Sequence, residues 1–203
     1  MPKKSLRLSS IEKSYLQKYD KIIGIDEVGR GSIAGPMVVC GFLYSLHDIV
    51  RQGVNDSKLL TRSRRAKLYK KLIEHEYLII EIPPYNIDEK GITQTFKEAV
   101  HQIFEKFYTE KSFFLIDGNL KLNICKNMCN IVKGDRKVYS IAAASIIAKV
   151  YRDNLMFKLS EIYPDYKFEN NVGYGTVEHL DAIKRYGITE IHRKTFYPIK
   201  LKY

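Results

Sequence analysis

A run of apolar residues, Ile22-Ile23-Gly24-Ile25, passes straight into two adjacent carboxylates, Asp26-Glu27, and then into the turn Val28-Gly29-Arg30-Gly31-Ser32-Ile33-Ala34-Gly35-Pro36. No other stretch restricts the chain as much. The apolar run is short and rich in β-branched residues, which suits a buried strand. Adjacent residues on a strand point to opposite faces, so Asp26 and Glu27 share a site only where the strand ends and one of them reaches by its side chain or carbonyl. Carboxylate plus main-chain oxygen is what a hard cation such as Mg2+ accepts. Gly29 and Gly31 carry no Cβ, so a ligand backbone can lie against the turn while Arg30 neutralises a phosphate. The plainer alternative is a pair of acids that merely solvate a glycine turn.

Gly29-x-Gly31-x-x-Ala34 also fits the dinucleotide-binding fingerprint, which requires a helix directly after the glycines. Here Gly35-Pro36 interrupts, and Met37 to Tyr44, rich in Val, Phe, Leu and Tyr, reads as a second strand. The segment is therefore strand, turn, strand, and the dinucleotide reading lacks its helix.

The 203 residues suffice for one ordinary core with room for a small appended lobe. Lys and Arg number 34 against 23 Asp and Glu, a formal net charge of +11. Such an excess points to a polyanionic partner, because phosphate neutralisation and counterion release dominate nucleic-acid affinity. A membrane surface is the competing polyanion, but no apolar run approaches the ~20 residues of a transmembrane helix. The start, Met-Pro-Lys-Lys-Ser-Leu-Arg, lacks a signal peptide's apolar core. A soluble cytoplasmic protein is expected. Of the three cysteines, Cys125 and Cys129 have a spacing that could supply two zinc ligands, but no Cys/His pair lies nearby at matching spacing, so these and Cys40 read as small thiols.

Along the chain, residues 1–19 form a basic amphipathic arm with Leu6, Leu8, Ile11, Tyr15 and Leu16. Strands are expected at about 22–26 and 36–44. Asn55-Asp56-Ser57-Lys58 then leads into a basic helix reaching about Glu74, with Ala66, Tyr69 and Ile73 on one face. Lys58, in the polar loop before it, is a candidate phosphate contact beside the ordinary reading of a solvated charge run. Tyr77 to Ile82 is a strand ended by Pro83-Pro84. Ile92, Phe96, Ala99, Val100, Ile103 and Phe107 repeat at helical spacing, so these aromatics are core and His101 among them is structural.

Phe113-Phe114-Leu115-Ile116 is another buried strand that ends in an acid, Asp117-Gly118-Asn119. Two apolar strands that both run into acid put three carboxylates at strand ends, which in a sheet can converge on one edge as a divalent cation requires. A stray Asp-Gly turn is the alternative. After a short strand near 130–133, Asp135 precedes a long helix from about Val138 to Ser160, whose Ala142-Ala143-Ala144-Ser145 run allows close packing on a sheet. Capping of that helix and metal binding compete for Asp135. For Asp153 a mid-helix salt bridge is favoured. Tyr174, between Gly173 and Gly175, can stack on a sugar or pack on the lobe below, and Thr176 can cap a following helix. A basic-aromatic tail, Ile191-His192-Arg193-Lys194-Thr195-Phe196, comes near the end.

This ordered set resembles ribonuclease HII, the prokaryotic type 2 ribonuclease H, from about residue 22 to 196. The pieces that carry the resemblance are Gly24-Ile25-Asp26-Glu27-Val28-Gly29-Arg30-Gly31, Ala34-Gly35-Pro36, Asp56-Ser57-Lys58, Ile116-Asp117-Gly118 and Lys133-Gly134-Asp135, followed by Ser140 to Val150, Arg152-Asp153, Gly173-Tyr174-Gly175-Thr176 and Ile191-His192-Arg193. The resemblance implies an α/β fold, a ribonuclease H-like mixed sheet flanked by helices with a helical C-terminal portion. The implied divisions are a basic arm at 1–19, a catalytic core at 20–160 and a C-terminal portion at 161–203 packed on the same domain.

It further implies metal-dependent hydrolysis of the phosphodiester 5′ to ribonucleotides, in RNA/DNA hybrids and in DNA duplexes with embedded ribonucleotides, leaving 3′-hydroxyl and 5′-phosphate ends. Asp26, Glu27 and Asp117 would be ligands of two Mg2+ or Mn2+ ions, with Asp135 the fourth acid. Gly29, Arg30 and Gly31 would follow the ribonucleotide backbone and its 2′-hydroxyl, Lys58 would hold a phosphate, and Tyr174 would stack on the neighbouring sugar at the RNA-to-DNA junction. A monomer is implied. Ser32 replaces a common proline, which should loosen the turn. Val172 stands where a lysine often precedes Gly-Tyr-Gly, leaving Lys167 as a substitute. The reading from another class is a catalytically silent nucleic-acid-binding domain on the same fold.

Overall fold

The computed structural model of the chain describes residues 10–45, 60–120, 122 and 124–201. Lys58 and its neighbours Asp56 and Ser57 lie outside the described residues. In chain order the elements are α1 (Ser10–Leu16), β1 (Lys21–Val28), β2 (Met37–Ser45), α2 (Arg62–Leu72), β3 (Tyr77–Ile82), α3 (Pro84–Lys90) and α4 (Ile92–Phe107). There follow β4 (Ser112–Asp117), β5 (Met128–Ile131), α5 (Tyr139–Ile162), α6 (Phe168–Asn171) and α7 (Val177–Tyr186). One sheet has the order β3-β2-β1-β4-β5. β1 pairs antiparallel with β2, and β2 with β3, whereas the β1–β4 and β4–β5 pairs are parallel. This is the mixed sheet flanked by helices that the sequence led us to expect.

Alternation along the strands sorts the core into two layers. Ile23, Ile25, Phe114 and Ile116 meet Phe96, Ala99, Val100 and Ile103 of α4 on one face. On the other, Ile22, Phe113 and Leu115 pack with Val138 and Ile141, and Val38, Cys40 and Phe42 pack with the Ala142–Ala148 stretch of α5. Each large apolar side chain buried in this way contributes about 1.5–3 kcal/mol. The alanine run brings α5 so near the sheet that a Cβ on Gly24 would stand 2.1 Å from the Ser140 carbonyl carbon. Only glycine permits that approach.

Several expectations shift. β1 does not stop at Asp26 but runs on to Val28, because β2 continues to pair with it through Asp26–Cys40, Glu27–Val39 and Val28–Val38. Pairing with β4, in contrast, ends at Ile25–Ile116. The acids therefore occupy a stretch of β1 that has lost its partner on one side only. The buried face of α2 is Leu68 and Leu72, while Ile73 is exposed, since the helix docks those leucines on the β2 side of the core. α3 begins on Pro84, where the sequence reading saw only a strand stop; proline suits a first helical turn, whose N–H has no partner to lose. His101 is exposed, 3.5 Å from Glu105. Thr61 caps α2 and Thr176 caps α7, each accepting from the N–H three residues on.

Within the arm, α1 is fastened by Glu12, which is fully buried and accepts the Tyr139 and Ser140 N–H groups at 3.1 and 2.8 Å. Tyr15 stacks on Phe113 of β4. A third apolar cluster joins Ile33 and Ala34 of the glycine turn to Met156, Tyr166, Phe168, Ala182, Ile183 and Ile199, tying the C-terminal helices to the core. Among the described residues, no helix is long and apolar enough to cross a membrane.

Candidate active site

Because Ile25 pairs with Ile116 on parallel strands, Asp26 and Asp117 are the next residues along on two neighbours, with Glu27 one step further on the opposite face of β1. Each acid is aimed by a fixed donor. Asp26 is 6% exposed; its Oδ1 accepts the Glu27 N–H at 2.8 Å and its carboxylate also receives the Ser145 hydroxyl of α5. The Asp117 Oδ1 accepts the Gly134 N–H at 2.6 Å. The residue after that glycine is Asp135, buried in a short 3-10 turn at Gly134–Arg136. Glu27 Oε1 lies 3.2 Å from Arg30 Nη1, and the Arg30 guanidinium spreads over the Phe96 ring.

These carboxylates sense one another. Burial pushes the Asp26 carboxyl well above the usual carboxylate range, and the charges of Glu27 and then Asp117 push it further. Burial likewise raises Glu27, Arg30 opposes that, and Asp117 adds to it. Mutually repelling buried acids are a site that gains from a cation. Among the described residues no three His, Cys, Asp or Glu side chains are drawn together closely enough to hold a metal ion as they stand. The set is open, with oxygen donors held by backbone N–H groups, and such hard donors fit a divalent cation such as Mg2+ or Mn2+.

The glycine turn beside the acids is held from below by two arginines that are both fully buried. Arg152 of α5 donates from Nε to the Pro36 carbonyl at 2.8 Å, from Nη1 to the Val172 carbonyl at 2.8 Å, and from Nη2 to Ser32 Oγ at 2.9 Å and the Ala34 carbonyl at 3.3 Å. Arg193 donates from Nε and Nη2 to the Gly35 carbonyl and from Nη1 to the Arg30 carbonyl. Gly29, at φ 88°, leaves room for this: a Cβ there would lie 2.1 Å from Arg152 Nε. Ser32 is thus a buried acceptor that ties the turn to α5.

The same turn receives the C-terminal segment. Ile33 and Ala34 N–H groups donate to the Gly173 carbonyl, Gly35 N–H to the Ile191 carbonyl, and Arg193 N–H to the Ile33 carbonyl. Tyr174 is thereby placed near the turn, 39% exposed as a residue and with its ring 5.9 Å from the Arg152 guanidinium carbon. Asp26, Glu27 and Asp117 are thus near enough to feel one another's charge, Asp135 follows the Gly134 whose N–H meets Asp117, and Gly29, Arg30 and the exposed Gly31 follow Glu27 along the chain. Asp153 pairs with Lys149 at 2.7 Å, the salt bridge expected of it. Sequence reasoning missed Ser145, Arg152 and Arg193 as site supports. One signal was present: Ser145, Arg152 and Met156 are spaced seven and four apart, one face of the same helix.

A five-stranded mixed sheet with helices on both faces, carrying a carboxylate cluster on its two central parallel strands, defines a nuclease of the ribonuclease H fold. The ribonuclease H2 of Pyrococcus horikoshii OT3 is similar in structure, with a TM-score of 0.76 at 28% identity over 89% of this chain and 96% of that one. The Bst ribonuclease HIII solved with Mn2+ shares the fold at a TM-score of 0.69 and 19% identity, over 92% of this chain and 70% of its own. In sequence, the ribonuclease HII of Francisella tularensis subsp. novicida (strain U112) is 44% identical over 182 residues, 89% of this chain and 98% of that protein. The profile of the ribonuclease HII family matches residues 23–198, and the chain belongs to that family, as an RNase H endonuclease.

Proposed function

We propose that the chain cleaves the phosphodiester 5′ to ribonucleotides, in RNA/DNA hybrids and in DNA duplexes with embedded ribonucleotides, leaving 3′-hydroxyl and 5′-phosphate ends. The observation that carries this reading is the set of three neighbouring carboxylates, buried Asp26 and half-buried Glu27 and Asp117, beside an open glycine turn. These three would hold Mg2+ or Mn2+, two ions in the active complex, and Asp135, the residue after the Gly134 whose N–H orients Asp117, would serve as the fourth acid. Bound there, the ions would supply the charge that activates water and steadies the departing oxygen.

The chain's own residues do the selecting. Gly29 and Gly31 let a nucleic-acid backbone approach the turn, and Arg30, half-exposed and already steered by Glu27 and Phe96, meets phosphate. Tyr174 offers a ring for the neighbouring sugar. Lys58 remains a proposed phosphate contact. The net charge of +11 supplies the sequence-independent attraction for a duplex. The same reading has the chain act as a monomer in the cytoplasm.

The test is cleavage of an end-labelled DNA duplex carrying one ribonucleotide, with Mg2+ or Mn2+, beside an all-DNA duplex and the Asp117→Asn protein. Cation-dependent nicking 5′ to the ribonucleotide is expected, with none on the all-DNA duplex. Asp117→Asn should lose cleavage by at least ~100-fold while keeping duplex binding. Salt-sensitive binding with no cutting under either cation would overturn the proposal in favour of a silent binding domain.

A further inference from the structure

Two histidines that the proposed chemistry does not use lie buried behind Tyr174. His179 of α7 is 0% exposed and His192 is 1% exposed, and both are packed against the rings of Tyr166 and Phe168. Their hydrogen bonds fix the proton on each ring nitrogen. The Thr189 N–H can only donate, and it points at His192 Nδ1 at 3.0 Å, so that nitrogen is the acceptor. The neutral His192 ring therefore carries its proton on Nε2 and donates to His179 Nε2 at 3.1 Å. That leaves the His179 proton on Nδ1, where it donates to the Tyr174 carbonyl at 2.9 Å. Donors and acceptors match from Thr189 to Tyr174 only when both rings are neutral.

Tyr174 is held on its other side as well. Its N–H donates to the Asn171 carbonyl, and the Gly173 N–H donates to Asn171 Oδ1. Thr176 N–H shares the Tyr174 carbonyl with His179. The main chain of the tyrosine is thus clamped before and after, while its ring reaches towards solvent beside Arg152. Leucine-sized apolar residues would fill the same space without the cost of burying two imidazoles. The polar pair supplies direction, one donor aimed at one carbonyl.

We infer that His179, oriented by His192, is a positioning residue for Tyr174 and so sets how strongly the enzyme prefers an embedded ribonucleotide to a uniform hybrid. The inference rests on the proposed contact between Tyr174 and the sugar at the RNA-to-DNA junction.

The experiment compares kcat/KM of the full chain on a DNA duplex with one ribonucleotide and on a uniform RNA/DNA hybrid, and reads the ratio of the two. Tyr174→Ala lowers the ratio. His179→Gln, whose amide reaches the ring's Nε2 end to meet His192 and leaves the Nδ1 position beside the Tyr174 carbonyl without a donor, lowers it about fivefold, the worth of one neutral hydrogen bond. It lowers it no further in the Tyr174→Ala background, as coupled residues require. His179→Asn, which keeps an N–H near that carbonyl, holds the ratio within about twofold of the parent. Should His179→Gln fail to fold, His192→Asn, too short to reach His179, makes the corresponding cut and lowers the ratio likewise. A ratio unchanged in these cutting variants while Tyr174→Ala lowers it overturns the inference, as do equal losses on both substrates. A ratio unchanged in Tyr174→Ala removes the assignment of the tyrosine, and the inference with it.

Discussion

Three influences oppose ionisation of Asp26, its burial and the charges of Glu27 and Asp117, and only the Ser145 hydroxyl and the Glu27 N–H favour it. An acid raised in this way is protonated in both folded and unfolded chains at low pH, and its cost appears as pH rises from the unfolded towards the folded value. Asp26→Asn removes the charge and keeps an oxygen for the Glu27 N–H. The variant is expected to lose cleavage and yet be more stable than the parent by about 1–2 kcal/mol at pH 7 in chelator, a gain that shrinks towards pH 4. Thermal melts at the two pH values check it, and a lower melting temperature at pH 7 would remove the repulsion account. Asp26, Glu27 and Asp117 were legible as candidates because each follows directly on an apolar strand run. Arg152 and Arg193 were not, since all their partners but Ser32 Oγ are main-chain carbonyls, as far away as 118 residues for Ala34 and 163 for Arg30. A carbonyl leaves no mark in a sequence.

At the scale of elements, α5 is the member on which the site is built. It covers Gly24, supplies Ser145 to Asp26, and carries Arg152 under the glycine turn. Its own start has no side-chain cap from Val138, and the orphan N–H groups of Tyr139 and Ser140 are met by Glu12, 127 and 128 residues earlier. A buried carboxylate at a helix N-terminus satisfies donors and complements the dipole at once. Glu12→Gln is expected to cost about 1–2 kcal/mol in denaturant unfolding. Truncation of the chain before Tyr19 should cost more, because it also removes the Tyr15 ring from Phe113. Equal stability of the parent and Glu12→Gln would reduce α1 to a passenger. The alanine run made the close packing of α5 readable, and the periodicity of α4 was readable for the same reason, apolar side chains at helical spacing. The cap was not, because an amphipathic arm and a helix start carry no shared local pattern.

Over the whole molecule, the described C-terminal portion docks on the glycine turn beside the acids without adding a strand to the sheet. Its Gly173 and Ile191 carbonyls take N–H groups of the glycine turn, Arg193 returns donors to the turn's own carbonyls, and Asp88 of α3 receives the Lys194 and Thr195 N–H groups. Net charge pointed to a polyanion from the sequence alone, but this docking is a set of long-range backbone pairings that composition and periodicity do not encode. The docked segment is also where the molecule should be sensitive to acid. Burial first, and His179 second, bring His192 down from 6.5 to about 4, and burial lowers His179 too. A histidine depressed in this way stays neutral in the folded chain while the unfolded chain takes up the proton. Its contribution is whole above pH 6.5 and is lost as pH falls from there towards 4, at about 1.4 kcal/mol per pH unit, or roughly 3 kcal/mol for His192 over that window. The raised Asp26 and Glu27 act in the opposite sense, so the parent alone would mix the two effects. The measurement is therefore unfolding free energy against pH for the parent and for His192→Gln, which keeps a donor for His179 and has no group that titrates. The parent should lose stability more steeply than the variant between pH 6.5 and 4, with the two curves parallel above pH 7. Parallel curves throughout would mean that His192 is protonated in the folded chain as readily as in the unfolded one, and that the neutral pair behind Tyr174 does not form.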